Sequence, residues 1–147
     1  MILISHRGNI NGKDPDKENN PDYIISAISK GFEVEVDVWY DEGFYLGHDG
    51  PEYKVDTQFL DFYSDKLWCH AKNIEAVVEM RTNSKIHYFW HQEDDITLTS
   101  QGYIWAYPGK QPIKGSIAVM PYIYGDDVSK CIGVCSDYIE KFNLITK

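Results

Sequence analysis

Cysteine is scarce in this chain: three residues, at 69, 131 and 135. An odd number with no repeated spacing is not a disulfide framework. It fits reduced core thiols in a cytoplasmic protein. Long apolar runs are also missing. Nothing approaches the roughly 20 residues of a membrane-spanning helix, so no integral membrane segment is expected. Met1-Ile2-Leu3-Ile4-Ser5 has neither the basic flank nor the extended apolar segment of a secretory signal, and reads as a buried first strand. Basic residues are few: 14 Lys and Arg against 23 Asp and Glu, a net charge of −9. That argues against nucleic acid as a partner, which would need a basic face. An anionic small substrate stays open, because a bound cation and nearby Arg or Lys reverse the field locally. No internal repeat, low-complexity segment or linker interrupts the chain. Its 147 residues, 43% hydrophobic and 25% charged, suit one domain over residues 1–147 with a real core.

Against this background three triplets stand out: His6-Arg7-Gly8, Glu35-Val36-Asp37 and Gly47-His48-Asp49. Two histidines can exchange protons near neutral pH. Two acids two residues apart on a strand can share a cation, and an arginine can grip an anion. Together these are the equipment for cutting a phosphodiester bond.

The surrounding pattern places each triplet. Residues 2–5 form a short apolar strand, and 9–19 a polar loop. Asn20-Pro21-Asp22 then starts a helix over 21–30, with Asn as N-cap, Pro at the first position and Gly31 as terminator. Phe32 to Val38 alternates with period two, so Val34 and Val36 face one way and Glu33, Glu35 and Asp37 the other. On its own that face suits a solvated strand as well as a site. Asp41-Glu42-Gly43 turns into a hairpin arm that carries His48 back beside the strand end. Further strands are expected at 67–71, 86–90, 96–99, 103–106, 116–120 and 131–135, and a helix capped by Asn73 runs to about Arg81.

Strand and helix alternate as in a parallel α/β fold, and eight candidate strands would close a barrel. Such barrels usually take about 250 residues. The expectation is therefore a reduced TIM-type (β/α) barrel, with missing or shortened helices in its second half. His87 and His91 lie on a strand, where positions four apart are separated by about 13 Å, so they do not suit a shared zinc. His91 borders the site from a strand end, and Trp90, Trp105 and Tyr107 are candidates for its mouth or for the core.

With these residues in place, the chain resembles the glycerophosphodiester phosphodiesterase family, within the phospholipase-C-like phosphodiesterases. The likeness is carried by His6-Arg7-Gly8, by Glu18-Asn19 ahead of the first helix, and by Gly31 before Glu35-Val36-Asp37. Gly43 and His48-Asp49 continue it, and Gly133-Val134-Cys135-Ser136-Asp137-Tyr138 resembles the family's closing segment. The likeness is clear over residues 1–50, and the middle of the chain is shorter.

The resemblance implies a metal-dependent phosphodiesterase acting on a glycerophosphodiester or similar small diester. His6 and His48 would serve as base and acid. Glu35 and Asp37 would be metal ligands, rather than Glu33. Arg7 and Lys72 would bind the substrate phosphate, with Glu18 orienting Arg7 or His6. The family's third strand carries Glu-x-Lys, with the Glu as third ligand, and here that stretch is His70-Ala71-Lys72. The family metal would be Mg²⁺ or Ca²⁺, which prefer oxygen, whereas an imidazole at 70 suits Mn²⁺ or Zn²⁺ better. Two alternatives accompany this expectation: a phosphodiester-binding module that has lost catalysis, and a phospholipase or lyase giving a cyclic phosphate.

Overall fold

A computed structural model describes the backbone of residues 1–146 and the side chains of residues 1–143. The order is β1 (Ile2–His6), α1 (Pro21–Ser29), β2 (Glu33–Tyr40), β3 (Phe44–Leu46), β4 (Tyr53–Val55), α2 (Thr57–Phe62) and β5 (Leu67–Ala71). Then follow α3 (Ile74–Met80), β6 (Tyr88–Phe89), β7 (Ile96–Leu98), β8 (Ile104–Ala106), β9 (Ser116–Val119), β10 (Gly133–Ser136) and α4 (Ile139–Thr146). Seven strands run parallel in the order β6-β5-β2-β1-β10-β9-β8. β7 joins antiparallel to β8, and β3 antiparallel to β2.

The local signals act as expected where they are strong. Asn20 Oδ1 accepts from Asp22 N at 2.9 Å and Pro21 opens α1. Asn73 Oδ1 accepts from Ala76 N at 3.0 Å and opens α3. Three elements carry no strong pattern and escape the sequence reading. β4 is three residues long, α2 is one capped turn and a half behind Asp56, and α4 follows β10. The expected strand at 86–90 shortens to 88–89, because Ile86 N is still tied into a turn through Asn83 O. Between β8 and β10 the connections hold no helix.

The sheet is curled, and its two faces do different work. On β2, Val34, Val36 and Val38 are fully buried under the helices, with Ile24, Ala76 and Ile139. Each such burial contributes about 1.5–3 kcal/mol. The other face encloses Ile4, Trp68, Phe89, Trp105, Ile117 and Cys135 in a second cluster. Trp105 of β8 stacks within 4.6 Å of Phe89 of β6, so the two ends of the parallel run meet across this interior. The strand ladder itself stays open between β6 and β7. Single bonds cross that seam: Ser100 N to Tyr88 O, Tyr88 N to Ser100 Oγ, and Thr97 Oγ1 to Trp90 O. Among the described residues, no helix is long and apolar enough to cross a membrane.

His87 sits at the opposite end of the interior from the strand C-termini. It is 4% exposed, its ring lies 4.2 Å from that of Trp68, and Nε2 is 2.6 Å from Thr99 Oγ1. Burial holds it neutral, with its pKa lowered to about 4. Its folded pKa lies below the unfolded value of about 6.5, so the unfolded chain takes up the proton first. The stability this confers is complete above about pH 6.5 and is lost as pH falls from there towards 4. The urea midpoint is therefore expected to drop across that window, and His87→Gln to flatten the drop. An equal slope in the variant would contradict this.

Candidate active site

His6, Arg7, His70 and Lys72 lie at or just beyond the C-terminal ends of β1 and β5, Glu35 and Asp37 lie within β2, His48 follows β3, and Glu18 lies in the loop before α1. The strand register brings them together: His6 of β1 lies beside Glu35 of β2, and Asp37 beside His70 of β5. Glu35 and Asp37 are 2% and 0% exposed, so the acidic face of β2 is not a solvated one. Glu33, lower on the strand, accepts from Trp68 Nε1 and stays apart from the site. β2 outruns β1, and the antiparallel arm β3 pairs with its last residues. The turn after β3 brings His48 within 3.8 Å of Asp37 Oδ2.

Glu35, Asp37 and His70 each offer one ligand atom, all within 4.8 Å of one another. Asp37 Oδ2 accepts from Asn19 Nδ2 at 2.9 Å and lies 2.9 Å from Arg7 Nε in an ionic contact. Its other oxygen, Oδ1, is buried without a hydrogen bond and faces His70 Nδ1 at 3.5 Å. Glu35 Oε2 is likewise unpartnered, and Glu35 Oε1 lies 3.8 Å from the same nitrogen. His70 Nε2 is 2.8 Å from the His91 carbonyl, which can only accept, so Nε2 carries the hydrogen. Burial lowers the His70 pKa to about 4, so the ring is neutral at pH 7. Nδ1 therefore turns a bare lone pair towards two carboxylates.

Three lone-pair donors converging in a dry pocket repel unless something positive lies between them. The residues fit a divalent cation, and a carbonyl locking the far nitrogen is the usual support for a ligating histidine. One imidazole among two carboxylates suits Mn²⁺, Fe²⁺ or Zn²⁺ better than an all-oxygen site would.

The charges divide unequally. Burial and the neighbouring Asp37 push Glu35 well above the ordinary carboxylate range. Burial acts on Asp37 too, but Arg7, His70 and Asn19 outweigh it and hold Asp37 below that range. Burial alone would lower the Arg7 pKa, yet Asp37, Glu35 and Glu18 raise it, so the guanidinium stays charged. Arg7 Nη1 donates to Glu18 Oε1 at 3.1 Å, and Nη2 to His48 Nδ1 at 2.7 Å. Glu18 thus orients Arg7, not His6, and its second oxygen accepts from Asn9 Nδ2. Lys72 follows β5 half-buried, and its charge acts on both Glu35 and Asp37 without a close ion pair.

The two histidines are held in opposite forms. His6 Nδ1 lies 2.7 Å from Asp137 Oδ1. The His6 contact, Asn9 and the Tyr122 hydroxyl outweigh burial and hold the Asp137 carboxyl down at about 2. Asp137 is therefore ionised and accepts the hydrogen of His6 Nδ1, while His6 Nε2 faces Glu35 Oε2 at 3.6 Å. His48 Nδ1 accepts from Arg7, so its Nε2 carries the hydrogen. Burial and the Arg7 charge lower the His48 pKa and favour that neutral form. Asp49 Oδ1 is 3.6 Å from His48 Nε2.

Asp137, Asn9, Asn19, Tyr122 and the His91 carbonyl were assigned no role from sequence. Asp137 lies in the Gly133–Tyr138 stretch that carries part of the resemblance, and it directly follows the parallel strand β10. The glycine of His6-Arg7-Gly8 has a plain reason. At φ +95° an added Cβ would meet Tyr23 Cδ2 at 2.5 Å, and the Tyr23 hydroxyl donates to Asn9 Oδ1. No family model, curated protein or solved structure matches the chain.

Metal binding can be tested without any substrate. A saturating ion at a hundred times its Kd is expected to raise the unfolding free energy by about 2.7 kcal/mol. His70→Ala should abolish that rise for Mn²⁺ or Zn²⁺. Glu35→Gln should abolish it too, since a neutral amide does not supply the anionic oxygen that the cation needs. A full metal-induced shift in either variant, read by calorimetry, would remove that ligand from the set.

Proposed function

We propose that this chain is a metal-dependent phosphodiesterase acting on a glycerophosphodiester or a similar small diester. The observation that carries the reading is the pair of histidines, each held through Nδ1, His6 by Asp137 and His48 by Arg7, beside the Glu35–Asp37–His70 cluster. The resemblance to the glycerophosphodiester phosphodiesterase family points the same way. The fold that accompanies this reading is a reduced (β/α) barrel, rolled about its inner cluster with a seam between β6 and β7. Three free cysteines, two of them buried, fit a reducing, cytoplasmic compartment.

The chemistry follows from these contacts. His6 Nε2 takes the proton of the attacking hydroxyl, whether water or a neighbouring substrate hydroxyl, as its oxygen bonds to phosphorus. Asp137 fixes the ring and stabilises the imidazolium that forms. The bond from phosphorus to the leaving oxygen breaks while neutral His48 holds that oxygen by a hydrogen bond from Nε2–H, and the oxygen takes up through solvent the proton that His6 releases, so both rings return to their neutral forms. Glu35, Asp37 and His70 would hold a cation, which when bound would supply Lewis-acid stabilisation of the phosphoryl oxygens. Arg7 keeps unused N–H groups on both terminal nitrogens for the same oxygens, and Lys72 adds a point charge. Arg7 also links the halves of the site, since it touches Glu18, Asp37 and His48 at once.

Phosphorus NMR of a diester panel tests this, with metal-stripped protein given Mg²⁺, Ca²⁺, Mn²⁺ or Zn²⁺ singly. A monoester product is expected with at least one metal, and an accumulating cyclic phosphate would assign a lyase instead. His6→Ala and His48→Ala should each lower kcat/KM by about 10²–10⁴ without loss of fold. Asp137→Asn should lower it less and shift the acidic limb of the pH profile. Full activity in either alanine variant would end the proposed role. Binding without turnover under every metal would favour the non-catalytic module.

A further inference from the structure

A cavity of about 420 Å³ opens where the parallel strands begin, at the far end of the interior from the Glu35–Asp37–His70 cluster. Its lining includes Glu33, Asp65, Trp68, Lys85, His87 and Tyr103. The chemistry proposed above uses none of them. Two are polar groups that the protein satisfies on one side only.

His87 is the first. Its Nε2 lies 2.6 Å from the buried Thr99 Oγ1, and that oxygen also accepts from Tyr103 N at 3.1 Å. Among the described residues the Thr99 hydroxyl hydrogen has no other acceptor, so it goes to Nε2. The neutral ring then carries its own hydrogen on Nδ1. Nδ1 has no partner among the described residues, and it is not sealed from the cavity. Glu33 is the second. One oxygen, Oε2, accepts from Trp68 Nε1 at 2.5 Å, and Oε1 accepts nothing among the described residues. Both groups abut one indole, since the His87 ring lies 4.2 Å from that of Trp68. Tyr103 packs against both rings, at 5.0 Å and 5.6 Å. A free donor and a free acceptor are thus fixed beside an aromatic wall.

A ligand that meets both must present a lone pair beside an N–H, on a flat ring that can lie against the wall. The pairing edge of a nucleobase has this form, and proteins read it by such hydrogen bonds and by stacking. With one oxygen free, Glu33 calls for a single donor next to the lone pair, as adenine and cytosine offer. An inorganic anion would meet Glu33 as a like charge, and an aliphatic amine would leave the rings unused. Lys85 and Asp65 are exposed at the mouth and opposite in sign, so the entrance favours neither anion nor cation. The net charge of −9 opposes a polyanionic nucleic acid but not a neutral base.

We propose that this cavity binds a free amino-substituted nucleobase or its nucleoside, with His87 Nδ1–H donating to the ring lone pair and Glu33 Oε1 accepting from the exocyclic amine. The site is separate from the Glu35–Asp37–His70 cluster and does not rest on the phosphodiesterase reading.

Calorimetric titration of the full chain tests this with adenosine, cytidine and purine riboside, the last keeping the adenosine ring without its amine. Adenosine or cytidine is expected to bind at one site, and adenosine about tenfold or more tighter than purine riboside, the scale of a hydrogen bond to a charged group. Glu33→Gln keeps an acceptor for Trp68 Nε1 and should erase that preference. His87→Phe keeps a ring against Trp68 and should weaken adenosine and purine riboside by a similar factor, since both offer the same lone pair. Glu33→Gln is close to isosteric, so the test does not depend on the His87 variant folding. His6→Ala, at the other end of the interior, should bind adenosine as the wild type does. Equal affinity of the wild type for adenosine and purine riboside would overturn the site, as would a preference unchanged in Glu33→Gln. No heat with adenosine or cytidine at millimolar concentration would overturn it as well. No diester or metal enters the titration, so each of these failures leaves the phosphodiesterase reading standing.

Discussion

Two carboxylates lie side by side on the inner face of β2, both almost fully buried, and the rest of the architecture answers to them. Charge in a dry interior is costly, and two like charges more so. The opposite face of the same strand supplies much of the compensation. Val34, Val36 and Val38 are fully buried and contribute about 1.5–3 kcal/mol each. The remainder is electrostatic and specific. Breaking a buried ion pair typically costs about 3–5 kcal/mol, more than any one of these valines returns. Arg7 is therefore a structural residue as well as the proposed ligand for phosphate. With Arg7 and Asn19 on one oxygen of Asp37, the other oxygen is left for a cation.

That arrangement demands an unusual backbone. Arg7 and Asn19 both sit in the left-handed region, at φ 59° and 66°. Such a conformation costs about 1–2 kcal/mol for a residue with a side chain. It persists because the two residues hold each other and β2. Arg7 N donates to Glu35 O, and Asn19 N to Arg7 O. The Asn19 amide grips Asp37 twice, donating to Oδ2 and accepting from the backbone N–H. The polar loop between β1 and α1 is thus an ordered part of the site. Its strain is spent on aiming a guanidinium at a buried carboxylate.

What could be read from sequence follows the range of each interaction. The alternation in β2, the Asn20-Pro21 and Asn73 caps and the hairpin to His48 are local, and each appears in the structure near its expected position. The eight residues expected to form the site lie around one end of the sheet, although Glu18 serves Arg7 alone of the two candidates it was given. The partner of His6 could not be read in this way, because Asp137 lies 131 residues further on. Nor could α2 and α4, whose few turns carry no clear period and depend on the sheet they pack against. The seam between β6 and β7 is illegible for another reason. Two ends of a sheet meet there through single hydrogen bonds, which no periodicity records.

The histidine at position 70 ties the unfamiliar middle of the chain to the site. A glutamate there would give the cluster three carboxylates, and the burial that already raises Glu35 would weigh on a third charge. A neutral imidazole removes that charge but brings a second nitrogen that needs an acceptor. The His91 carbonyl meets it at 2.8 Å, and the His91 side chain is held in turn by the Asp94 carbonyl at 2.7 Å. The segment after β6 thereby becomes a support for the Glu35–Asp37–His70 cluster. Tyr122 does the same for His6 through Asp137. Between β8 and β10 the connections hold no helix, and there the loops themselves take over the orienting work.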